Sequence, residues 1–163
     1  MGNPGATAVS AHLSGALGRL ALEGSGRTFD VEDFAAAMIR LEGGAVLDLE
    51  VTWAMNTADR EGTWIEVYGT RGSVVYRSGF QYDQPHVAFV RLKRGRPEPV
   101  DKLPAVRAPH PPQWHFVRAI RDDLPVPASG EQGAEIMEIL DAVYRSADSG
   151  REVRVRRRNP ERA

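Results

Sequence analysis

The chain has 163 residues, 42% hydrophobic and 26% charged, which suits one globular domain and excludes disorder or a fibrous repeat. No apolar run approaches the roughly 20 residues that cross a bilayer, and the opening MGNPGATAVS has neither a basic start nor an apolar signal segment. Cysteine is absent, which excludes disulfides, thiol catalysis and cysteine-ligated metals and is compatible with a cytoplasmic address. The net charge of −1 conceals an asymmetry: Arg151 to Ala163 hold six Arg and two Glu, leaving −5 on the other 150 residues. Alternation in Arg151-Glu152-Val153-Arg154-Val155-Arg156 reads as an edge strand whose solvated charges discourage aggregation, ahead of a basic tail within residues 151–163.

In chain order, Thr7–Ser14 is a strand candidate, and a glycine-containing loop runs on through Thr28. Asp30–Glu42 is ambiguous. Asp30 and Asp33 loosely imitate a helix cap, and three alanines favour a helix locally. Gly43-Gly44, however, is a hairpin turn signal, and Ala45–Trp53 beyond it is strand-like. A hairpin needs a partner of matching length, so Phe34–Leu41 is read as a strand with Ala35, Ala37, Ile39 and Leu41 on one face. Strands follow at Thr63–Tyr68 and Ser73–Arg77, reversed at Gly69-Thr70-Arg71-Gly72. Val87–Lys93 is another, and Glu98–Lys102 returns beside it. Four prolines between residues 104 and 112 mark an extended crossover.

Two helices come next. Pro112 suits a first turn, with Trp114, Val117, Ala119, Ile120 and Leu124 giving one apolar side. Pro125-Val126-Pro127 ends that helix. Ser129 and Gln132 form a capping box for the second, and Glu131 lies near its positive end. Its stripe of Ile136, Ile139, Leu140, Val143, Tyr144 and Ala147 fits core packing on a sheet, and Gly150 stops it. Strands joined by tight turns and followed by segregated helices define an α+β domain: a mainly antiparallel open sheet with helices packed on one face. The whole chain, residues 1–163, reads as one such domain.

Chemical motifs are sparse. Gly15-x-x-Gly18 and Gly24-x-Gly26 lack the third glycine and the strand–turn–helix setting of a dinucleotide fingerprint. No P-loop, zincin or nucleophile-elbow pattern occurs. His12, His86, His110 and His115 are scattered, and no carboxylate stands at ligand spacing from them, so no metal site is expected. Glu32/Asp33 and Asp122/Asp123 read as solvated charge on a strand or at a helix end. No catalytic residue and no cofactor-binding residue is assigned.

Several blocks, in order, carry a resemblance. They are Phe29-Asp30-Val31-Glu32-Asp33-Phe34 through Ile39-Arg40-Leu41-Glu42-Gly43-Gly44-Ala45, closing on the aromatic Trp53; then Ile65-Glu66-Val67-Tyr68-Gly69-Thr70-Arg71-Gly72-Ser73. The most specific is Phe116-Val117-Arg118-Ala119-Ile120-Arg121-Asp122-Asp123, Pro125-Val126-Pro127, then Asp141-Ala142-Val143-Tyr144-Arg145-Ser146-Ala147 and Gly150-Arg151-Glu152-Val153. Together they resemble the C-terminal domain of the glucose–fructose oxidoreductase / inositol dehydrogenase / MocA (Gfo/Idh/MocA) family, and Met1-Gly2-Asn3-Pro4 resembles its interdomain linker. The resemblance implies a dihydrodipicolinate-reductase-like sheet domain that serves substrate binding and oligomerisation, with the Rossmann domain absent from this chain.

It also implies that NAD or NADP belongs to the parent enzyme, because hydride transfer needs a held nicotinamide and an acid/base near the reacting oxygen. The family's dinucleotide fingerprint and catalytic Lys have no counterpart here, so the chain is expected to be inactive alone. By the resemblance, the substrate of the full-length enzyme is a sugar, polyol or related compound, and its pocket wall maps to Trp53, Asn56 and Arg60. Trp53 would stack on a sugar ring, Asn56 would bond hydroxyls, and Arg60 would take a carboxylate or phosphate. Core or interface packing is the competing role for Trp53, an ordinary exposed loop that for Asn56 and Arg60, and His115 reads as a capping or packing residue. An open sheet face left apolar would pair with a second copy in a homo-oligomer. A standalone sheet-based binding or dimerisation module without catalysis is the alternative, separated from the first reading by what precedes Met1 in the gene. A nucleic-acid role for the arginine-rich tail ranks behind both, and neither nucleic acid nor membrane is an expected partner.

Overall fold

The computed structural model describes residues 4–54, 62–79, 85–101 and 110–156. Its elements run β1 (Ala6–Ser14), α1 (Ala16–Ala21), β2 (Phe34–Leu41), β3 (Val46–Thr52), β4 (Gly62–Gly69), β5 (Gly72–Gly79), β6 (His86–Lys93), β7 (Arg96–Pro99), α2 (Pro112–Arg121), α3 (Gly130–Ser149) and β8 (Val153–Arg154). The α+β class with antiparallel strands stands, and the strands divide into two four-stranded sheets, β3-β2-β1-β8 and β4-β5-β6-β7. Residues 1–55 with 111–163 form one compact unit and residues 56–110 another.

In the first unit β2 and β3 form the hairpin that the Gly43-Gly44 signal requires, with a 3-10 turn over Glu42–Gly44 and both glycines at positive φ. Three alanines have not made Phe34–Leu41 helical, since a strand there pairs along its whole length with β1 and β3. Register places Val9 opposite Ile39 and Ile39 opposite Leu47, so these side chains share one face. That face meets α3: Val9, Ala37 and Ile39 are buried with Ala142 and Val143, flanked by Leu13, Leu49 and Ile139. Each fully buried Val or Ile contributes about 1.5–3 kcal/mol.

The ends of α3 follow their sequence signals. Ser129 and Gln132 close the capping box, and Gly150 ends the helix in the left-handed region at φ 62°. One turn before that end, Ser146 is buried; its Oγ accepts from the Ala11 N–H at 2.9 Å and donates to the Arg151 carbonyl at 2.8 Å. A single hydroxyl thus ties the helix to β1 and to the returning chain. β8 takes the edge place beside β1 expected of the alternating tail, and Glu152 pairs with Arg40 at 2.8 Å.

Three expectations about the helices are corrected. The glycine-containing stretch after β1 holds α1, a six-residue helix that its own sequence barely supports: it has no side-chain cap on Gly15 and a glycine inside. The apolar side of α2 is not a buried one, because only Ala119 is buried while Val117 and Ile120 are exposed. On α3 the stripe is divided: Ile139 and Val143 join the core, whereas Ile136 and Leu140 are exposed.

The second unit is a meander in which cross-strand pairing gathers Ile65, Tyr76 and Val87, then Val67, Val74 and Phe89, on one face. Its opposite face carries Glu66, which accepts from Tyr68 and Arg77 at 2.8 Å each. The return strand spans Arg96–Pro99 rather than beginning at Glu98. Most of the proline-rich crossover lies outside the described residues.

Ser146→Ala leaves the Ala11 N–H and the Arg151 carbonyl without their partner, and the expected loss is about 1–3 kcal/mol of unfolding free energy by urea denaturation. An unchanged midpoint would show that the hydroxyl is not a tie.

Candidate functional site

Trp53 directly follows β3, and four contacts determine where its indole lies. Its backbone N–H donates to the Asp33 carbonyl at 3.3 Å, and its Nε1–H donates to the Glu32 carbonyl at 3.0 Å. The Phe29 ring stands 5.8 Å away, centroid to centroid, tilted by 39°. The preceding Thr52 adds a bond from its Oγ1 to the Asp33 carbonyl at 2.9 Å. The indole nevertheless remains 67% exposed. Core packing is therefore not its role within the described residues.

The segment that receives Trp53 is itself held. The Glu32/Asp33 pair is not solvated charge: Asp33 is 2% exposed, and its Oδ2 accepts from the Gly18 N–H of α1 at 2.7 Å. Its own N–H donates to the Ser14 carbonyl at 2.8 Å. Burying a carboxylate is costly unless it is hydrogen-bonded, and here it supplies the cap that α1 lacks in sequence. Glu32 accepts from the Tyr144 hydroxyl of α3 at 2.7 Å. That bond holds the Glu32 carboxyl below its ordinary value and raises the Tyr144 phenol.

Phe29 links the two parts. A Cβ placed on Gly18 would meet the Phe29 ring at 2.2 Å, so the ring packs directly on the α1 backbone on one side and near Trp53 on the other. The Gly15-x-x-Gly18 spacing, which fails as a dinucleotide fingerprint, has this local meaning: Gly15 too lies close against backbone, 2.5 Å from the Val31 carbonyl oxygen by the same measure.

Of the residues read from the sequence as a pocket wall, Trp53 is placed as described; Asn56 and Arg60 lie outside the described residues. Sequence reasoning missed Asp33, Glu32 and Tyr144 as supports of Trp53, though the unusual glycine pair and the Asp at the strand entry were signals. His115 packs edge-on against Trp114 at 5.0 Å, and the Arg118 guanidinium lies 5.2 Å above the Trp114 ring. At the end of α2, Asp122 pairs with Arg121 and Arg118, which holds its carboxyl below its ordinary value.

A concave region lies on the face of the first sheet away from α3. Ser10, His12, Ala36, Met38, Asp48 and Glu50 line an open depression of about 530 Å³. Ala36 and Met38 lie among polar side chains on this face, whereas pairing in the second sheet gathers branched and aromatic side chains on one face. Among the described residues, no three His, Asp or Glu side chains are grouped to hold a metal ion. No helix there is long and apolar enough to cross a membrane.

The described residues do not fit a dinucleotide. α1 is short and the Asp33 carboxylate already takes an amide of its first turn, Ser129 and Gln132 cap α3, and α2 opens on proline. Residues 5–155 match the oxidoreductase family's C-terminal alpha/beta domain, and the chain belongs to this Gfo/Idh/MocA family. No curated protein matches the sequence.

Solved structures show the same fold. An aldose-aldose oxidoreductase from Caulobacter crescentus, complexed with glycerol, is 21% identical with a TM-score of 0.65, over 93% of this chain and 42% of its own. A levoglucosan dehydrogenase in complex with NADH and L-sorbose is 24% identical with a TM-score of 0.64, over 94% and 46%. An oxidoreductase domain protein from Kribbella flavida is 18% identical with a TM-score of 0.69, over 94% and 47%. The chain thus spans less than half the length of these structures.

Gly18→Ala forces the Phe29 ring off α1, and the expected cost is about 1–3 kcal/mol by thermal or urea unfolding. A neutral substitution would mean that the ring does not pack there.

Proposed function

We infer that this chain is the substrate-binding and oligomerisation domain, residues 1–163, of an NAD(P)-dependent oxidoreductase acting on a sugar, polyol or related compound. It is inactive alone. The observation that carries this reading is Trp53, two-thirds exposed yet fixed by its indole N–H and an aromatic neighbour. An exposed aromatic plane held in one orientation suits the apolar face of a sugar ring, whose hydroxyls need hydrogen-bonding partners at the rim. Asn56 and Arg60, three and seven residues farther on, are of the right types to supply them. Family membership and sugar-acting relatives, one solved with NADH and L-sorbose, support the substrate class and the nicotinamide of the parent enzyme.

When bound in the full-length enzyme, NAD or NADP supplies the hydride chemistry. This domain's residues bind and orient the substrate and keep water from the ring face. The second sheet offers the oligomer surface: Ile65 and Val87 are about half exposed, and Val67 somewhat less, on the face they share with Val74, Tyr76 and Phe89. Such a face gains from pairing with a second copy, in a cytoplasmic homo-oligomer. The same face would serve the alternative, a dimerisation module without catalysis.

Two measurements test the reading. Titration of this chain with NADH and NADPH is expected to show no binding, and micromolar affinity would sink the claim of inactivity alone. In the full-length enzyme, Trp53→Ala is expected to raise KM for its sugar or polyol by about tenfold, the loss of roughly 1.4 kcal/mol of stacking. An unchanged KM would remove Trp53 from the wall.

A further inference from the structure

Tyr144 lies on α3, one position from Val143 and two from Ser146, both buried. The ring of Tyr144 is itself 46% exposed. A helix stripe that only packs on a sheet has no use for a hydroxyl at this position; phenylalanine or leucine would cover the same surface. The hydroxyl instead crosses to Glu32 at 2.7 Å, a charge-assisted bond between residues 112 apart in the chain. Glu32 is the residue whose carbonyl accepts the indole N–H of Trp53 at 3.0 Å.

The consequence is mechanical. The Glu32 carbonyl can fix the indole only if the Glu32 peptide is itself fixed. Asp33 fixes one side through Gly18 and Ser14, and the Glu32 side chain is anchored on the other by Tyr144. The core helix thereby sets the orientation of an exposed ring that makes no core contact of its own. We propose that Tyr144 and Glu32 are positioning residues that hold the Trp53 indole in one orientation. The inference rests on the reading of Trp53 as a pocket wall only for its purpose, not for the coupling itself. A ring ordered before its ligand arrives spares the ligand that ordering cost, worth about three- to tenfold in affinity.

The test uses the full 163-residue chain with Trp64→Phe and Trp114→Phe, so that Trp53 is the one remaining indole. Near-ultraviolet circular dichroism and acrylamide quenching report whether that indole is fixed. Tyr144→Phe is expected to cut the indole dichroism by about half and raise quenching about twofold, with Tm within ~2–4 °C of the parent. Glu32→Ala should do the same, and Glu32→Gln, which keeps an acceptor for the hydroxyl, should restore most of the signal. Unchanged indole signals in both Tyr144→Phe and Glu32→Ala would overturn the proposal. So would equal losses in the Gln variant accompanied by a matching fall in Tm, which would mark a general loosening.

Should the background substitutions unfold the chain, 5-fluorotryptophan incorporated into the otherwise native chain gives the same readout by fluorine NMR, with Trp53→Phe assigning the resonance. The full-length enzyme separates the two ideas: a fixed indole together with an unchanged KM in Trp53→Ala upholds the positioning and removes the wall.

Discussion

The buried carboxylate of Asp33 is the constraint on which the site depends. Asp33 lies between three elements that sequence alone does not bring together: α1, which its carboxylate caps through Gly18; β1, whose Ser14 carbonyl accepts from its backbone N–H; and the end of β3, whose Thr52 hydroxyl donates to its backbone carbonyl. A carboxylate so little exposed is tolerated only because it has a backbone partner at charge-assisted distance. The same desolvation that makes it costly also makes its geometry specific, since any shift would leave a buried charge unpaired.

From that point order spreads outward in two directions. Inward, the packing of Val9, Ile39, Ala142 and Val143 sets the helix on the sheet, and Ser146 locks its last turns to β1 and the returning chain. Outward, Phe29 rests on the bare backbone of Gly18 and approaches Trp53, while Tyr144 reaches Glu32 from the core helix. An exposed indole is thus connected to the hydrophobic core without being part of it. This arrangement gives the domain a rigid surface around one exposed ring.

The two sheets divide their labours by surface chemistry. The face of the first sheet away from α3 mixes Ser10, His12, Asp48 and Glu50 with Ala36 and Met38. The second sheet gathers branched and aromatic side chains on one face. An antiparallel sheet with an apolar face in water carries a free-energy cost that pairing with another surface removes.

What the sequence determined by itself were the features with short-range physical causes. The hairpin of β2 and β3 follows from Gly43-Gly44, the start of α3 from Ser129 and Gln132, and its end from Gly150; the family was legible in ordered blocks from Phe29 to Val153. Trp53 stood out as the aromatic closing a strand. Tertiary structure alone decided the rest. α1 forms because a distant carboxylate caps it, Asp33 is buried because three elements converge on it, and Tyr144 acts on Glu32 across 112 positions. Propensity and periodicity describe neighbours a few residues apart, whereas these contacts are set by how packed elements meet in space. The exposure of Val117 and Ile120 has the same origin: an apolar stripe states which side of a helix favours burial, and only the surrounding fold determines whether anything covers it.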